Sequence, residues 1–232
     1  MAKKNIIVTG GDGRFASELK KFKSKYNLIF LNKKKLDITS TKSIKKNVKI
    51  YKPKIIFHLA GLSRPMIKHE KDFLKSIELN IIGTCNIVRE CAVNNIKLIY
   101  FSTNYVYPGK KGNYSENDSL KPWNNYGWSK LGGESAVQMY KNSLIIRCAL
   151  TEYPFKHKKA FVDVQNNFIY HKDFIPILFK VISIKGVINI GGKNQSVFQF
   201  AKKNNPHVIK AYSSGQIPKR VDMNLKKLKT II

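Results

Sequence analysis

Short apolar runs alternate with helical spacings along the first two thirds of the chain, and this alternation predicts the fold. Asn5 to Val8 forms a continuous apolar run closed by Thr9-Gly10-Gly11, the pattern of a strand buried on both faces. Phe15, Leu19 and Phe22 then recur at helical spacing, and Leu28-Ile29-Phe30-Leu31 follows as a second strand. Leu36-Asp37-Ile38 predicts a short third strand. Ser40-Thr41 are capping candidates for a helix marked by Ile44 and Val48, and Ile55-Ile56-Phe57-His58-Leu59, after Pro53, reads as a fourth strand. A long helix is expected from about Glu70 to Asn94, with Phe73, Ile77, Ile81, Val88 and Cys91 as its apolar stripe. Leu98 to Phe101 makes the fifth strand, ending in Ser102-Thr103. A polar loop with Pro108-Gly109 and Pro122 leads to a helix near Asn125 to Tyr140 and a strand at Leu144-Ile145-Ile146. Strands and helices alternating at this spacing imply a doubly wound α/β sheet whose ligands sit at the carboxyl ends of its strands.

Beyond Arg147 the pattern weakens. Phe174 to Ile184 reads as a helix, Val187-Ile188-Asn189-Ile190 as a strand, and Ser196 as the cap of a short helix ending near Lys203. The expected division is a dinucleotide-binding domain over residues 1–150 and a smaller lobe over 151–232 packed on it. No internal repeat or low-complexity linker interrupts the chain.

Composition changes the picture in one respect. The 232 residues are 43% hydrophobic, enough for a sizeable core, yet 43 Lys+Arg against 14 Asp+Glu give a net charge of +29. Only Arg14, Arg64, Arg89, Arg147 and Arg220 are arginines; the lysines are dispersed as pairs and triplets from Lys3-Lys4 to Lys226-Lys227. Sequence-directed recognition of nucleic acid favours arginine concentrated in one patch, so the charge reads as a solvated surface with unspecific attraction for anions, and no specific nucleic-acid partner is expected. Cys85, Cys91 and Cys148 lack a CxxC spacing and read as small buried hydrophobes in a reducing compartment. No metal is called for. The start Met-Ala-Lys-Lys carries no leader pattern and no run approaches the ~18 apolar residues of a membrane span, so a cytoplasmic protein is expected.

The candidate chemistry starts at Gly10-Gly11-Asp12-Gly13-Arg14-Phe15-Ala16, between the first strand and first helix, where a glycine turn lets backbone N–H groups approach a pyrophosphate. Gly10 makes the turn, Gly13 permits close approach and Ala16 takes the third small position; the alternative is a tight turn with no ligand. The second strand ends at Asn32-Lys33-Lys34-Lys35 rather than at an acidic residue. Lys33 and its neighbours favour a 2′-phosphate, so NADP(H) is preferred and NAD(H) remains open, the alternative being a solvated turn. Asp37 can accept from an adenine amino group or cap its own turn. Tyr126 and Lys130, four apart, fall on one helix face, where an ammonium favours the phenolate and brings a group of ordinary pKa ~10 toward a working range. The alternative is an amphipathic pair with a snorkelling lysine. Thr103 offers a hydroxyl to the same carbonyl oxygen.

Taken together, these stretches resemble the extended short-chain dehydrogenase/reductase family, most closely its dTDP-4-dehydrorhamnose reductase-like branch. The resemblance rests on Val8–Ala16, Leu36-Asp37-Ile38-Thr39, His58-Leu59-Ala60-Gly61, Asn80-Ile81-Ile82-Gly83-Thr84, Phe101-Ser102-Thr103-Asn104-Tyr105-Val106-Tyr107 and Tyr126-Gly127-Trp128-Ser129-Lys130, in the family's order over residues 5 to about 150. It implies a Rossmann-like doubly wound parallel sheet with a reduced C-terminal substrate lobe. It also implies roles: Gly10, Gly13, Arg14 and Phe15 at the cofactor pyrophosphate, Asp37 and Ile38 at the adenine, Leu59, Ala60 and Gly61 toward the nicotinamide, and Asn80 supporting the active-site helix. Thr103 would orient the carbonyl, Tyr126 would give its proton, and Lys130 would hold the nicotinamide ribose while tuning Tyr126.

Family members that dehydrate sugar nucleotides carry Asp-Glu where this chain has Asn104-Tyr105, so reduction of a nucleotide-linked keto sugar is the implied activity, with Asn104 in place of the usual Asp. Only about two dozen residues separate Arg147 from His171-Lys172-Asp173, fewer than the family normally places there. Arg64, Arg147, Lys156 and Lys158 are candidates for a substrate diphosphate, with surface salt bridging as the alternative. An NAD-dependent epimerase and a non-catalytic NADP-binding regulatory subunit are the rival readings, and a homodimer formed through the long helix stays open.

Overall fold

The structure is a computed structural model that describes residues 3–215 and 217–232. Met1 and Ala2, part of the stretch read for a leader, lie outside the described residues. The chain divides into two compact units. The first takes residues 1–102, 124–146 and 184–186; the second takes 103–123, 147–183 and 187–232.

The first unit is the parallel α/β layer that the apolar runs predict. Its strands are β1 (Asn5–Thr9), β2 (Asn27–Leu31), β3 (Ile55–His58), β4 (Lys97–Phe101) and β5 (Ser143–Cys148), the last running to the unit's edge. They pair in parallel in the order β5-β4-β3-β1-β2. Ile6, Ile7, Val8, Ile56, Phe57, Leu98, Ile99 and Ile146 have no solvent exposure, because helices cover both faces of such a sheet. The winding reverses between β1 and β3. Their ends, Thr9 and His58, are paired in the register, and a crevice of this kind is where open α/β sheets take their ligands.

The helices of this unit are α1 (Arg14–Leu19), α2 (Thr41–Tyr51), α3 (Ile67–Lys71), α4 (Phe73–Ser76), α5 (Gly83–Val93) and α6 (Asn125–Gln138). Ser40 caps α2 by accepting from the Ser43 backbone at 3.2 Å, and Phe22 falls beyond the end of α1. Two expectations are corrected. Leu36–Ile38 forms no strand: the Leu36 backbone donates to Asn32 O at 2.8 Å and that of Asp37 to Ser43 Oγ at 3.1 Å, so turn partners take the donors a ladder would use. The long helix from Glu70 to Asn94 is also interrupted. Asp72 leaves helical geometry and its Oδ1 accepts from Lys75 N at 3.0 Å, ending α3 and capping α4, and a π-helical turn, Ile77–Ile82, separates α4 from α5. The extra residue of a π turn shifts the face presented to the core. Ser76, Asn80, Thr84, Ile87 and Cys91 are buried, whereas Phe73 and Ile77 of the expected stripe are exposed and Val88 is half-buried.

The second unit is built from smaller pieces. Two-stranded pairings join β6 (Leu150–Thr151) to β9 (Ile169–Tyr170), β7 (Lys159–Phe161) to β12 (Ile209–Ala211), and β8 (Gln165–Asn166) to β11 (Gln195–Ser196). It also carries α7 (His171–Val181), most of β10 (Gly186–Ile190), α8 (Val197–Lys202) and α9 (Lys226–Lys229). The expected cap on α8 is a full capping box: Ser196 Oγ accepts from Gln199 N while Gln199 Oε1 accepts from Ser196 N. A cluster of Phe155, Ala160, Val164, Tyr170, Val197, Phe200, Ala201 and Val208 forms its core. Cys91 and Cys148 are buried as expected, Cys85 is half-buried, and none of the three is in a disulfide.

Candidate active site

The bend after β1 is dictated by contact distances. Gly10 has φ +66°, and a Cβ there would stand 2.9 Å from Ala60 Cα; one on Gly11 would stand 2.8 Å from Leu31 N. The bend closes through Gly13 N donating to Gly10 O at 2.9 Å. Gly13 then occupies the N-cap of α1, where no side chain caps the helix and where an added Cβ would meet only Gly10 O within 4 Å. The residues of this bend thus fit a phosphate group approaching the backbone. Phe15 is turned into the core, its ring 5.4 Å from that of Phe101, while Arg14 is exposed. Exposed Lys33 lies in the turn after β2, and its charge helps hold the Asp37 carboxyl below the ordinary range. The larger causes of that shift are the Thr39 backbone and hydroxyl, which donate to Asp37 Oδ1 at 2.9 and 2.8 Å. Ile38 is buried, with its side chain where a Cβ on Gly83 would collide at 2.7 Å.

Across the crevice, one chain of hydrogen bonds has only one consistent arrangement. Thr84 Oγ1 donates its single proton to Asn80 O at 2.7 Å, so it must accept from His58 Nε2 at 3.1 Å. His58 Nδ1 is then bare and accepts from Thr9 Oγ1 at 3.0 Å. The Thr9 oxygen in turn accepts from the backbone N–H groups of Leu59 at 3.1 Å and Ala60 at 3.0 Å. Burial, reinforced by the charge of Lys130, pushes the His58 pKa down to about 3, so the imidazole is neutral and the network keeps one direction. It pins the segment Leu59-Ala60-Gly61 against the glycine bend.

The helix α6 rests on Asn80. Its Nδ2 donates to Leu62 O at 2.9 Å and to Ser129 Oγ at 2.8 Å, while its Oδ1 accepts from Leu62 N at 2.7 Å. Ser129 Oγ passes the bond on to the carbonyl of Tyr126 at 2.8 Å. Gly61 is required here, since a Cβ would lie 2.7 Å from Asn80 Oδ1; Gly133 is required too, since its Cβ would lie 2.5 Å from Asn80 O. Asn124 starts α6 by accepting from Gly127 N at 2.8 Å. One turn further, Lys130 Nζ stands 4.1 Å from the centre of the Tyr100 ring, and Tyr100 donates to Lys130 O at 3.0 Å. Half-buried Tyr126 meets the imidazole of His69 at 5.1 Å between ring centres. Arg64 lies half-buried on the loop after Gly61.

The remaining sequence candidates belong to the second unit. Thr103 is buried and begins a 3₁₀ turn, Asn104–Val106, its Oγ1 accepting from Tyr105 N at 3.3 Å. Asn104 spends both amide hydrogens inside the unit, on Asn166 Oδ1 and Val221 O, each at 3.0 Å. An aspartate there would face two acceptors, which explains the amide. Arg147, expected at a diphosphate, is instead 2% exposed. Its Nη1 donates to Tyr107 Oη at 2.9 Å and to Glu116 O at 3.1 Å, so the guanidinium serves the unit's interior and offers no surface to an anion. Among the described residues no helix is long and apolar enough to cross a membrane, and no group of acidic, histidine and cysteine side chains could hold a metal ion.

Residues 4–170 match the family described as the RmlD substrate binding domain. The chain belongs to that family. Its place among the extended short-chain dehydrogenase/reductases agrees with the dTDP-4-dehydrorhamnose reductase of Bacillus anthracis, solved with NADP. That structure is 25% identical with TM-score 0.89, covering 99% of this chain and 92% of that one. By sequence, the chain is 34% identical over 102 residues to methionine adenosyltransferase 2 subunit beta of Xenopus tropicalis, covering 44% of this chain and 30% of that protein. It is 32% identical over 146 residues to the spore coat polysaccharide biosynthesis protein SpsK of Bacillus subtilis, covering 61% and 51%. The matches thus span about a third to a half of these curated relatives.

Within this family frame, sequence reasoning overlooked the residues that hold the site together. Thr9, His58 and Thr84 lay inside the quoted motifs, but nothing in their spacing revealed a hydrogen-bonded chain. Glu134 shows a clearer signal: it follows Lys130 by four positions, is fully buried, and accepts from Ser102 Oγ at 2.7 Å. A lone acidic residue on the apolar side of a helix is such a signal, because it needs a partner.

Proposed function

We propose that the chain is an NADPH-dependent reductase of a keto group on a nucleotide-linked deoxysugar. The observation that carries this reading is the placement of Tyr126 and Lys130, one turn apart on α6, in the same unit as a glycine bend whose shape only unsubstituted backbone permits. The dTDP-4-dehydrorhamnose reductase solved with NADP and the polysaccharide biosynthesis relative support the substrate class. The choice of coenzyme is supported by that NADP complex and by exposed Lys33 in Asn32-Lys33-Lys34-Lys35, where β2 ends without an acidic residue.

Reduced nicotinamide, when bound, supplies the hydride. Gly10 and Gly13 would let the pyrophosphate reach backbone N–H groups, and Asp37 and Ile38 would serve the adenine. Leu59-Ala60-Gly61, pinned by Thr9, would hold the nicotinamide side. Tyr126 gives its phenolic proton to the carbonyl oxygen as that oxygen gains negative charge, and Lys130 keeps the phenolate formed on Tyr126 stable. The product is a secondary alcohol. Donors aimed at the developing alkoxide lower the barrier more than they tighten ground-state binding.

The test is loss of NADPH absorbance with a panel of nucleotide 4-keto-6-deoxysugars. Wild type is expected to turn over at least one, and Tyr126→Phe to lose about 100-fold or more in kcat. Full turnover by Tyr126→Phe contradicts the reading. The similarity to methionine adenosyltransferase 2 subunit beta favours a second one, an NADP-binding regulatory subunit. It is distinguished by tight NADP binding in a wild type that reduces no member of the panel.

A further inference from the structure

His69 takes no part in the chemistry described above, yet it is fully buried against the residue proposed to give the proton. Its ring meets that of Tyr126 edge-on, at 5.1 Å and 60°. On its other side Nδ1 is 2.9 Å from Ser76 Oγ, at the end of α4. Nε2 is buried with no hydrogen-bond partner. The backbone around it is tied to the start of α6. Asn125 Nδ2 donates to His69 O at 3.3 Å and to Glu70 Oε2 at 2.7 Å, and Asn125 N donates to Glu70 Oε1 at 3.1 Å.

We propose that His69 is a positioning residue for Tyr126: Ser76 holds the imidazole from one side, and the imidazole holds the phenol from the other. Edge-to-face contact restricts rotation of the phenol about its Cα–Cβ and Cβ–Cγ bonds. A hydrocarbon ring would give the same contact without the anchor on Ser76. The imidazole is also a neutral support. Burial holds the His69 pKa below its ordinary value, against the smaller pulls of the Ser63 carbonyl and the Glu70 carboxylate. The ring therefore orients Tyr126 while Lys130 alone provides the nearby positive charge on α6.

This inference rests on the reductase reading for its kinetic arm, so the experiment carries a second readout that needs no turnover. The full chain is compared with His69→Ala, His69→Phe and Ser76→Ala, each measured for kcat, KM and NADPH affinity across pH. Tyr126 is followed by NMR of ring-labelled tyrosine, its signal assigned by its loss in Tyr126→Phe. His69→Ala is expected to lower kcat about tenfold or more while NADPH affinity stays within about twofold. His69→Phe and Ser76→Ala fall between it and wild type, and the pH midpoint of kcat does not move. The Tyr126 signal, single and narrow in wild type, broadens or averages in His69→Ala and, to a smaller extent, in Ser76→Ala, whose small deletion spares the fold. A Tyr126 signal unchanged in all three variants overturns the proposal, and so does a shifted pH midpoint, which would make His69 a proton-transfer group. Broadening in a protein whose wild type shows no turnover keeps the positioning role and rejects the reductase reading instead.

Discussion

The two units keep their shape by different means. In the first, aliphatic strands pair in parallel along their whole length, and the polar groups inside form short local sets such as the chain from Thr9 through His58 to Thr84. In the second, the pairings that join its own strands are two or three residues long, and side-chain amides carry much of the order. Arg147 donates to Tyr107, Tyr107 to Asn189 Oδ1 at 2.8 Å, and Asn189 to the carbonyl of Tyr114 at 2.9 Å. Asn104, Asn166 and Asn167 tie further loops in the same way, and Asp222 accepts from Asn113 N and Asn194 Nδ2. Apolar burial is non-directional and tolerates drift, whereas a buried amide network fails when one member leaves its partners unsatisfied. The lesson is that a lysine-rich chain with many asparagines can still build a stable α/β layer, because the layer needs only apolar runs, while the amide-built unit needs particular residues at particular places.

Acid should break the first unit by the largest margin. His58 is neutral when folded, with its pKa lowered to about 3, and binds a proton near 6.5 when unfolded. The unfolded chain therefore holds more protons between those values, and stability is full above pH 6.5 and falls as pH drops toward 3, by up to roughly 5 kcal/mol. Denaturant melts from pH 7 to pH 4 check this: His58→Gln should flatten the slope, and a wild type with no slope would refute the network.

Next in size, Arg147→Met should cost about 3 kcal/mol through the second unit, since Tyr107 Oη and Glu116 O lose their donor. Hydrogen exchange should report it, with protection lost first at Asn189 and Tyr114 and retained along β1, β3 and β4. Equal loss in both units would erase the contrast. The smallest effect is expected at Asn104→Asp, about 2 kcal/mol, because a carboxylate would face Asn166 Oδ1 and Val221 O. Thermal melts should show this penalty shrinking in acid as the new carboxyl protonates.

What could be read from the chain alone follows the same divide. Runs such as Ile6-Ile7-Val8 and Leu98-Ile99 determined the parallel layer, and the positions of Gly10, Tyr126 and Lys130 within it marked the candidate site, because local pattern and topology together leave few arrangements. Tertiary structure alone decided that Leu36–Ile38 packs without pairing, that Asp72 and a π turn interrupt the long helix, that Arg147 faces inward, and that His69 lies behind Tyr126. In each case the outcome hung on which distant donor or acceptor came within about 3 Å, and residues remote in sequence carry no periodic signal of that meeting.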